Sequence, residues 1–422
     1  MERGEEMIDK ERTFARLKKL AFERVGGSQE ELKAVTLLSD ELERLNVDYQ
    51  LEPFEVGAYH VHEVELTVLE PYVATYEVKA IGLSGSTPKE GIITDFLYVE
   101  EATQIQLIQA KHKIVLINGR LTAKRYKELM KAEVAGIISF SGTVLDDPLL
   151  TDLEIRELNQ YDHLPLGKIP SVTIRASSAM EMVEKQAKKI KLTLQQDEGY
   201  SLSHNLIVTI KGTENLNEEI VFMAHYDSTP YSQGVYDNGS GASLIMEFLH
   251  YFKSHPPKRT VKFIWFGSEE KGLYGSRIYA SQHEEELKRV RIGINLDMAG
   301  PILGEDRAFV IADDSLRHFV DYEAKLKGFA MNVKSSIYSS DCIPFSNQGV
   351  PTISFARFGA SGCAPGHNRY DLLKHLSADS LKKTGEFVLE ICEQLINAAE
   401  FPVPKSIPDS LQKEIKQYLK RT

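Results

Sequence analysis

The chain has 422 residues and a formal net charge of −11, with 42% of residues hydrophobic and 26% charged. That length exceeds one typical domain, and that apolar share is enough for a sizeable core. The negative balance argues against nucleic-acid binding by counterion release, and no window reaches the roughly 20 apolar residues of a membrane span.

In chain order, the amino terminus MERGEEMIDKERTFARLKKL is charged throughout and lacks the apolar run of a signal peptide. Cys342, Cys363 and Cys392 are too few, and odd in number, for a disulfide-built fold. The expected compartment is therefore the cytoplasm, although a mature secreted form would look much the same. Ser28 and Glu31 have the spacing of a capping box. Val35, Leu38, Leu42 and Leu45 then recur on one helical face, with Asn46 as the stop. Residues 47–56 and 62–69 alternate as strands. His60 and His62 could chelate from one strand face, but they are far in sequence from other candidate ligands and read as part of an exposed strand pair.

From about Pro71 to Ser201 the pattern is a separate α/β rhythm. Strands are expected at 113–118, 135–140 and 169–174, with helices at 122–132 and 177–188. The INGR turn has no GxGxxG or Walker spacing, so no phosphate cradle is expected. No catalytic grouping occurs here, and the segment reads as an accessory module.

From Leu206 onward strands and helices alternate to a last long helix at 377–399. Strands are expected at 220–223, 261–266, 291–296, 308–311 and 352–355, in a mainly parallel sheet covered by helices. Ligands of such sheets gather at the carboxyl ends of the strands. The first of these strands ends in His225-Tyr-Asp227, followed by the turn YDNGSGA with Asp237. The second ends in Gly267-Ser-Glu269-Glu270 and the third in Asp297. After the last, a glycine-rich loop delivers His367. Two histidines and several carboxylates suit one or two zinc ions with an open position for water.

Roles follow in part from geometry. His225 and Asp227, two residues apart on extended chain, point the same way, so Asp227 can accept a hydrogen bond from the ring nitrogen that His225 leaves free. Adjacent Glu269 and Glu270 point apart, which suits one ligand and one general base. Asp237 has two oxygens and can bridge two ions, and Asn238 or Ser240 can cap the helix that follows.

These stretches (HYDS with YDNGSGA, GSEEKGLYGS, NLDMAG, SSDCIPF with GVP, and HNRYDLL) occur in the order seen in two-zinc aminopeptidases. The sequence resembles the bacterial leucyl aminopeptidase and aminopeptidase Y family, whose relatives include glutamate carboxypeptidase and the transferrin receptor. The resemblance implies a three-layer α/β/α zinc-exopeptidase fold with a central mixed, mainly parallel sheet. It also implies an inserted protease-associated domain, marked by KIVLINGR, AGIISF and IPSVTI. The expected layout is residues 1–70 as the first part of the peptidase domain, 71–200 as the insert, 201–400 as the catalytic domain and 401–422 as a tail.

Carried over by position, His225 and Asp297 would hold one zinc and Glu270 and His367 the other, with Asp237 bridging. Glu269 matches the family's general base and Asp227 the partner of His225. The peptide after the bridging aspartate is expected to be cis. Two departures stand out. Ser340-Asp341-Cys342 replaces the family's Ser-Asp-His, and Gly366 stands where many members have a tyrosine that stabilises the oxyanion. Tyr338 and Tyr226 are the remaining candidates for that donor.

The expected function is that of a metal-dependent exopeptidase, an aminopeptidase acting on peptides with a free amino terminus through two Zn²⁺ per chain. Three rivals share the fold: a binding protein of the transferrin-receptor kind, a single-zinc glutaminyl cyclase, and a carboxypeptidase. A carboxypeptidase would need a cation for the terminal carboxylate, for which Arg357 and Arg369 are available. Neither nucleic acid nor membrane is an expected partner, and the sequence does not speak to oligomeric state.

Overall fold

The computed structural model describes residues 7–419. The chain divides into two compact units, one formed by residues up to Val56 together with Leu202–Leu419, the other by Gly57–Ser201.

The larger unit holds a mixed sheet whose strands run in the order Met331–Ser335, Gly304–Ile311, Thr352–Gly359, Val290–Leu296, Asn215–His225, Arg259–Phe266 and the end of Lys189–Ile210. The central strands pair in parallel, Asn215–His225 with both Arg259–Phe266 and Val290–Leu296, and Val290–Leu296 with Thr352–Gly359. Antiparallel pairs flank them, Gly304–Ile311 against Thr352–Gly359 and Arg259–Phe266 against residues 206–210. Each of the five strands expected here is present and longer than its apolar stretch. Met331–Ser335 went unforeseen because it is short and half exposed, without an apolar run.

Alternation along the central strands builds two cores, one on each face. Ile220, Phe222 and Ala224 pack with Phe263, Trp265 and the helices Gln29–Arg44, Ser240–Ser254 and Ala378–Asn397. Val221, Met223, Ile264 and Phe266 face the other way, against Tyr279, Ile343, Phe345, Leu411 and Ile415. The layers are therefore helix, sheet, helix. Residues 401–419, expected only as a tail, include the helix Asp409–Leu419, whose Leu411 and Ile415 belong to this second core.

The smaller unit has its own sheet, ordered Ile92–Tyr98, Ile114–Leu116, Gly136–Ser141, Ser171–Arg175, Val78–Gly82 and Arg156–Glu157. Its strands again separate two cores, with Val115 and Ile137 in one and Ile114 and Ile138 in the other. The helix at 177–188 is shorter than expected, Ala176–Glu184. Gln186 takes a φ of 52°, which cannot continue a right-handed helix, and a strand begins at Lys189. The segments 47–56 and 62–69 are parts of one strand, Tyr49–Glu70. His62 pairs with Asp197 at 2.7 Å on an exposed surface.

At the amino-terminal side of the larger unit, Ser28 caps the helix Gln29–Arg44 by accepting from the Glu31 N–H at 3.0 Å. The Glu31 carboxylate does not complete a capping box on Ser28. It accepts from the Gly27 N–H (2.6 Å), the Ser203 hydroxyl (2.8 Å) and the Ser268 N–H (2.8 Å). The helix ends as expected at Asn46, which takes a φ of 50°.

A partly buried ionic cluster fastens the helices Lys10–Lys19 and Gln29–Arg44 to the helix Ser240–Ser254. Glu247, fully buried, accepts two bonds from Arg12 (2.9 and 2.6 Å) and one from Arg16 (2.8 Å), and Arg16 also holds Glu41. Removing Glu247 takes from buried Arg16 one of its two carboxylate partners and from Arg12 both bonds to Glu247. Glu247→Ala is therefore expected to lower the unfolding free energy of this unit by about 3–5 kcal/mol, measured by urea unfolding. A loss below about 1 kcal/mol would place the cluster among weak surface pairs.

Candidate metal centre

The residues singled out by the strand-end rule lie at the carboxyl ends of the central strands of the larger unit's sheet. The strand Asn215–His225 ends on His225, Arg259–Phe266 leads into Glu269 and Glu270, and Val290–Leu296 leads into Asp297. Asp237 lies in the turn Val235–Gly239, before the helix Ser240–Ser254, and the Asp237–Asn238 peptide is cis. His367 follows the strand Thr352–Gly359 and takes a φ of 56°.

Asp237 occupies the middle. Its Oδ1 lies 3.2 Å from His225 Nε2 and its Oδ2 2.8 Å from His367 Nε2. Asp297 Oδ1 approaches His225 Nε2 at 3.5 Å, and Glu270 Oε2 approaches His367 Nε2 at 3.2 Å. Glu269 Oε2 stands 4.0 Å from His225 Nε2. Ligand atoms of His225, Asp237 and Glu270 all lie within 4.8 Å of one another.

The surrounding chain fixes these side chains through backbone bonds. Asp227, fully buried, accepts from two successive amides, Glu269 N–H at 3.0 Å and Glu270 N–H at 3.1 Å. Its Oδ1 also lies 3.3 Å from His225 Nδ1, a close approach without the alignment of a hydrogen bond. Asp371 does for Asp237 what Asp227 does for the glutamates, accepting from Tyr236 N–H (2.8 Å) and Asp237 N–H (3.2 Å). Asn238 donates to Leu296 O and accepts from Gly241 N–H and Met298 N–H, tying the Asp237 turn to the Asp297 loop. Gly241 is required there, because a Cβ would sit 2.1 Å from Leu296 O.

The electrostatics are those of a site built for cations. Burial opposes a proton on His225, but the Glu269 charge and contacts with Asp227, Asp237 and Asp297 outweigh it and hold the imidazole well above its ordinary range. Bonds to Asp237 and Glu270 raise His367 to about 12. Burial is overcome at Asp237 by its two histidines, which hold it low. Burial, reinforced by Asp237, raises Glu270 to about 7. Burial likewise raises Glu269 well above the usual carboxylate range despite the opposing pull of His225, with Glu270, Asp341 and Asp297 adding to it. Glu270 Oε1, Asp297 Oδ1 and His225 Nδ1 are buried without a hydrogen-bond partner. Crowded, buried and partly unsatisfied carboxylates beside two imidazoles fit one or more divalent ions of the zinc type.

Neither tyrosine candidate stands free in the same way. Tyr226 is buried and its hydroxyl donates to His204 O at 2.8 Å. Tyr338 stacks on Phe309 at 4.8 Å, and after burial the charges of Asp297, Asp237 and Glu269 are the largest influences on its hydroxyl. A Cβ on Gly366 would lie 3.4 Å from Asp237 Oδ2, so the glycine leaves room beside the central carboxylate. Cys342 and Cys363 are free thiols, the first buried and raised by burial to about 12. The sequence placed Asp371 on the loop of His367 without a role and Glu31 only at a helix cap, and it gave no sign of Arg24, whose guanidinium donates to Tyr226 O and Gly234 O. Asp371 lay inside the HNRYDLL stretch, whereas the site-side partners of Arg24 and Glu31, Tyr226 and Ser268, are 202 and 237 residues away.

Residues 205–392 match the model of a family described as Peptidase family M28. The chain is 28% identical over 409 residues to aminopeptidase YwaD of Bacillus subtilis (strain 168), covering 92% of this chain and 85% of that one. It is 26% identical over 298 residues to human carboxypeptidase Q, covering 66% of this chain and 62% of that one. In structure it is similar to a zinc aminopeptidase from Bacillus subtilis, with a TM-score of 0.79 at 24% identity over 96% of this chain and 100% of that one. That similarity supports the three-layer fold.

The surrounding carboxylates favour the protonated form of both imidazoles, and ligation requires the free nitrogen. Addition of a divalent cation at pH 7 is therefore expected to release protons, and apparent affinity to weaken as pH falls. Calorimetric titration in two buffers of different ionisation enthalpy measures the release. Binding without proton release would show that the imidazoles are already neutral in the metal-free chain.

Proposed function

We propose that this chain, whose residues 205–392 belong to peptidase family M28, is a zinc-dependent aminopeptidase that releases amino-terminal residues from peptides. The observation that carries the reading is Asp237, whose two oxygens face His225 at 3.2 Å and His367 at 2.8 Å. A carboxylate so placed suits two ions, His225 with Asp297 on one and Glu270 with His367 on the other. Zinc, when bound, supplies Lewis-acid polarisation of the scissile carbonyl and a lowered pKa for the attacking water.

The chain's own groups supply the proton chemistry and the positioning. Glu269 takes the proton from the attacking water and returns it to the leaving amine, a role suited to a carboxylate whose proton affinity is raised by its surroundings. Asp227 lies against His225 Nδ1 at 3.3 Å and, through two backbone amides, positions the Glu269–Glu270 pair. Of the two tyrosines, Tyr338 is the better oxyanion donor, because the Tyr226 hydroxyl is engaged by His204 O.

The similarity to carboxypeptidase Q keeps the opposite polarity in view. Arg357, one cation that could take a terminal carboxylate, is already paired with Asp306 at 2.6 Å and donates to Pro301 O, and Arg369 is not without a partner. The surplus of carboxylates near the histidines favours a substrate amine instead. The segment 71–200, within the unit Gly57–Ser201, is read as a protease-associated domain that contributes no ligand. Among the described residues no helix is long and apolar enough to cross a membrane, and cytoplasmic location is part of the proposal.

Glu269→Gln is expected to keep metal content and substrate binding while lowering kcat by at least about 10²-fold. Near-normal turnover would remove Glu269 from the mechanism. Amino-acid anilides should be cleaved only with a free amine, and efficient release of carboxyl-terminal residues from acetylated peptides would reverse the assigned polarity. Elemental analysis should find two ions per active chain, with Asp237→Asn weakening both sites. Saturation at one ion would favour the single-zinc cyclase chemistry.

A further inference from the structure

We propose that Arg24 is the positioning residue of the Asp237 turn, a buried guanidinium that holds residues 226–234 in place and sets the affinity of the metal centre. The proposal rests on the metal-centre reading above. Arg24 is fully buried, and among the described residues its guanidinium donates only to main-chain carbonyls. Two, Leu20 O (2.9 Å) and Phe22 O (3.0 Å), belong to its own segment. The others are Tyr226 O, Gln233 O (2.6 Å) and Gly234 O (2.6 Å). The loop is thus gripped at the residue after His225 and again three residues before Asp237.

The backbone of Arg24 adds to the grip. Its N–H donates to Ser228 Oγ at 3.0 Å, and its carbonyl accepts from Ser228 N–H at 3.2 Å. Gly234 O also accepts from Gly239 N–H at 2.8 Å, the bond that closes the turn over Asp237. Gly234 has a φ of 56°, and a Cβ there would stand 2.8 Å from both terminal guanidinium nitrogens. Only a glycine lets the guanidinium lie flat against this backbone. Among the described residues no carboxylate forms an ion pair with Arg24. Burial pulls it down to about 10, opposed by the charges of Asp371, Asp227, Asp237 and Glu270. A lysine keeps the charge but cannot reproduce the planar fork of donors.

The test uses the full chain with Arg24→Lys and Ser228→Ala. Arg259→Lys serves as a stability control, a buried arginine at the opposite end of the strand Arg259–Phe266 from the site. Zinc affinity is read by chelator competition, and amide hydrogen exchange is followed over residues 226–239. R24K is expected to bind zinc about 10- to 100-fold more weakly and to exchange these amides faster. S228A, which removes the bond accepted from Arg24 N–H and the longer ones the hydroxyl donates to Thr229 O and Ser232 O, is expected to lose about fivefold. R259K should leave zinc affinity unchanged. The proposal is overturned if folded R24K and S228A both bind zinc and exchange like the wild type, or if R259K loses as much affinity as R24K. Should R24K not fold, S228A decides alone, a weaker affinity supporting the brace and an unchanged one overturning it. A wild-type chain that binds no zinc would instead sink the metal-centre reading, and the exchange rates would then decide for or against the brace.

Discussion

Asp237 is a buried anion with one oxygen turned to each of two imidazoles, and the architecture around it meets that demand. A carboxylate stays ionised out of water only with cations or good donors on every side. Asp371 secures the turn's amides, Asn238 ties it to the Asp297 loop, and Asp227 fixes the glutamates opposite. Three carboxyl-terminal strand ends and two loops therefore become one rigid object. The central strands serve this by being buried on both faces, so that their register, and with it the spacing of His225, Phe266 and Leu296, is set by two cores at once.

Much of this could be read from the residues. The strand-end rule placed His225, Asp227, Glu269, Glu270 and Asp297 in one neighbourhood because apolar runs in a parallel sheet all point their ends the same way. Ser28 and Asn46 marked helix ends through local chemistry, and the structure uses both as expected. What escaped was non-local. Glu31 looked like a partner for the Ser28 cap, but its carboxylate serves Ser268, beside the glutamates. Arg24 carried no signal at all, since a lone arginine in a charged segment resembles any surface residue. The strand Met331–Ser335 and the helix Asp409–Leu419 were missed for a related reason, as few of their residues are buried and the pattern is faint.

Charge explains why the missed residues matter. The centre gathers many carboxylates with two histidines, and the unmet acceptors show that side chains alone do not balance it. Arg24 contributes a permanent positive charge without occupying a ligand position, and its donors stiffen the backbone rather than the ligands themselves. Such an arrangement separates two tasks, with exchangeable groups left to the metal and to protons and the shape of the loop left to a group that neither titrates nor ligates.

The larger unit is assembled from two stretches of sequence on either side of residues 57–201. On a growing chain the smaller unit can complete its sheet as soon as residue 201 has emerged, whereas Arg24 and Glu31 must wait for partners near residues 226–234 and 268. The last ligand candidate, His367, and the helix that seals the second core come later still. Contacts of such separation form slowly, so the amino-terminal helices spend synthesis with their apolar faces uncovered. A ribosome-bound chain halted before residue 367 would lack the last of the candidate ligands, so on the proposed reading the centre is completed only after most of the larger unit's sheet has been made.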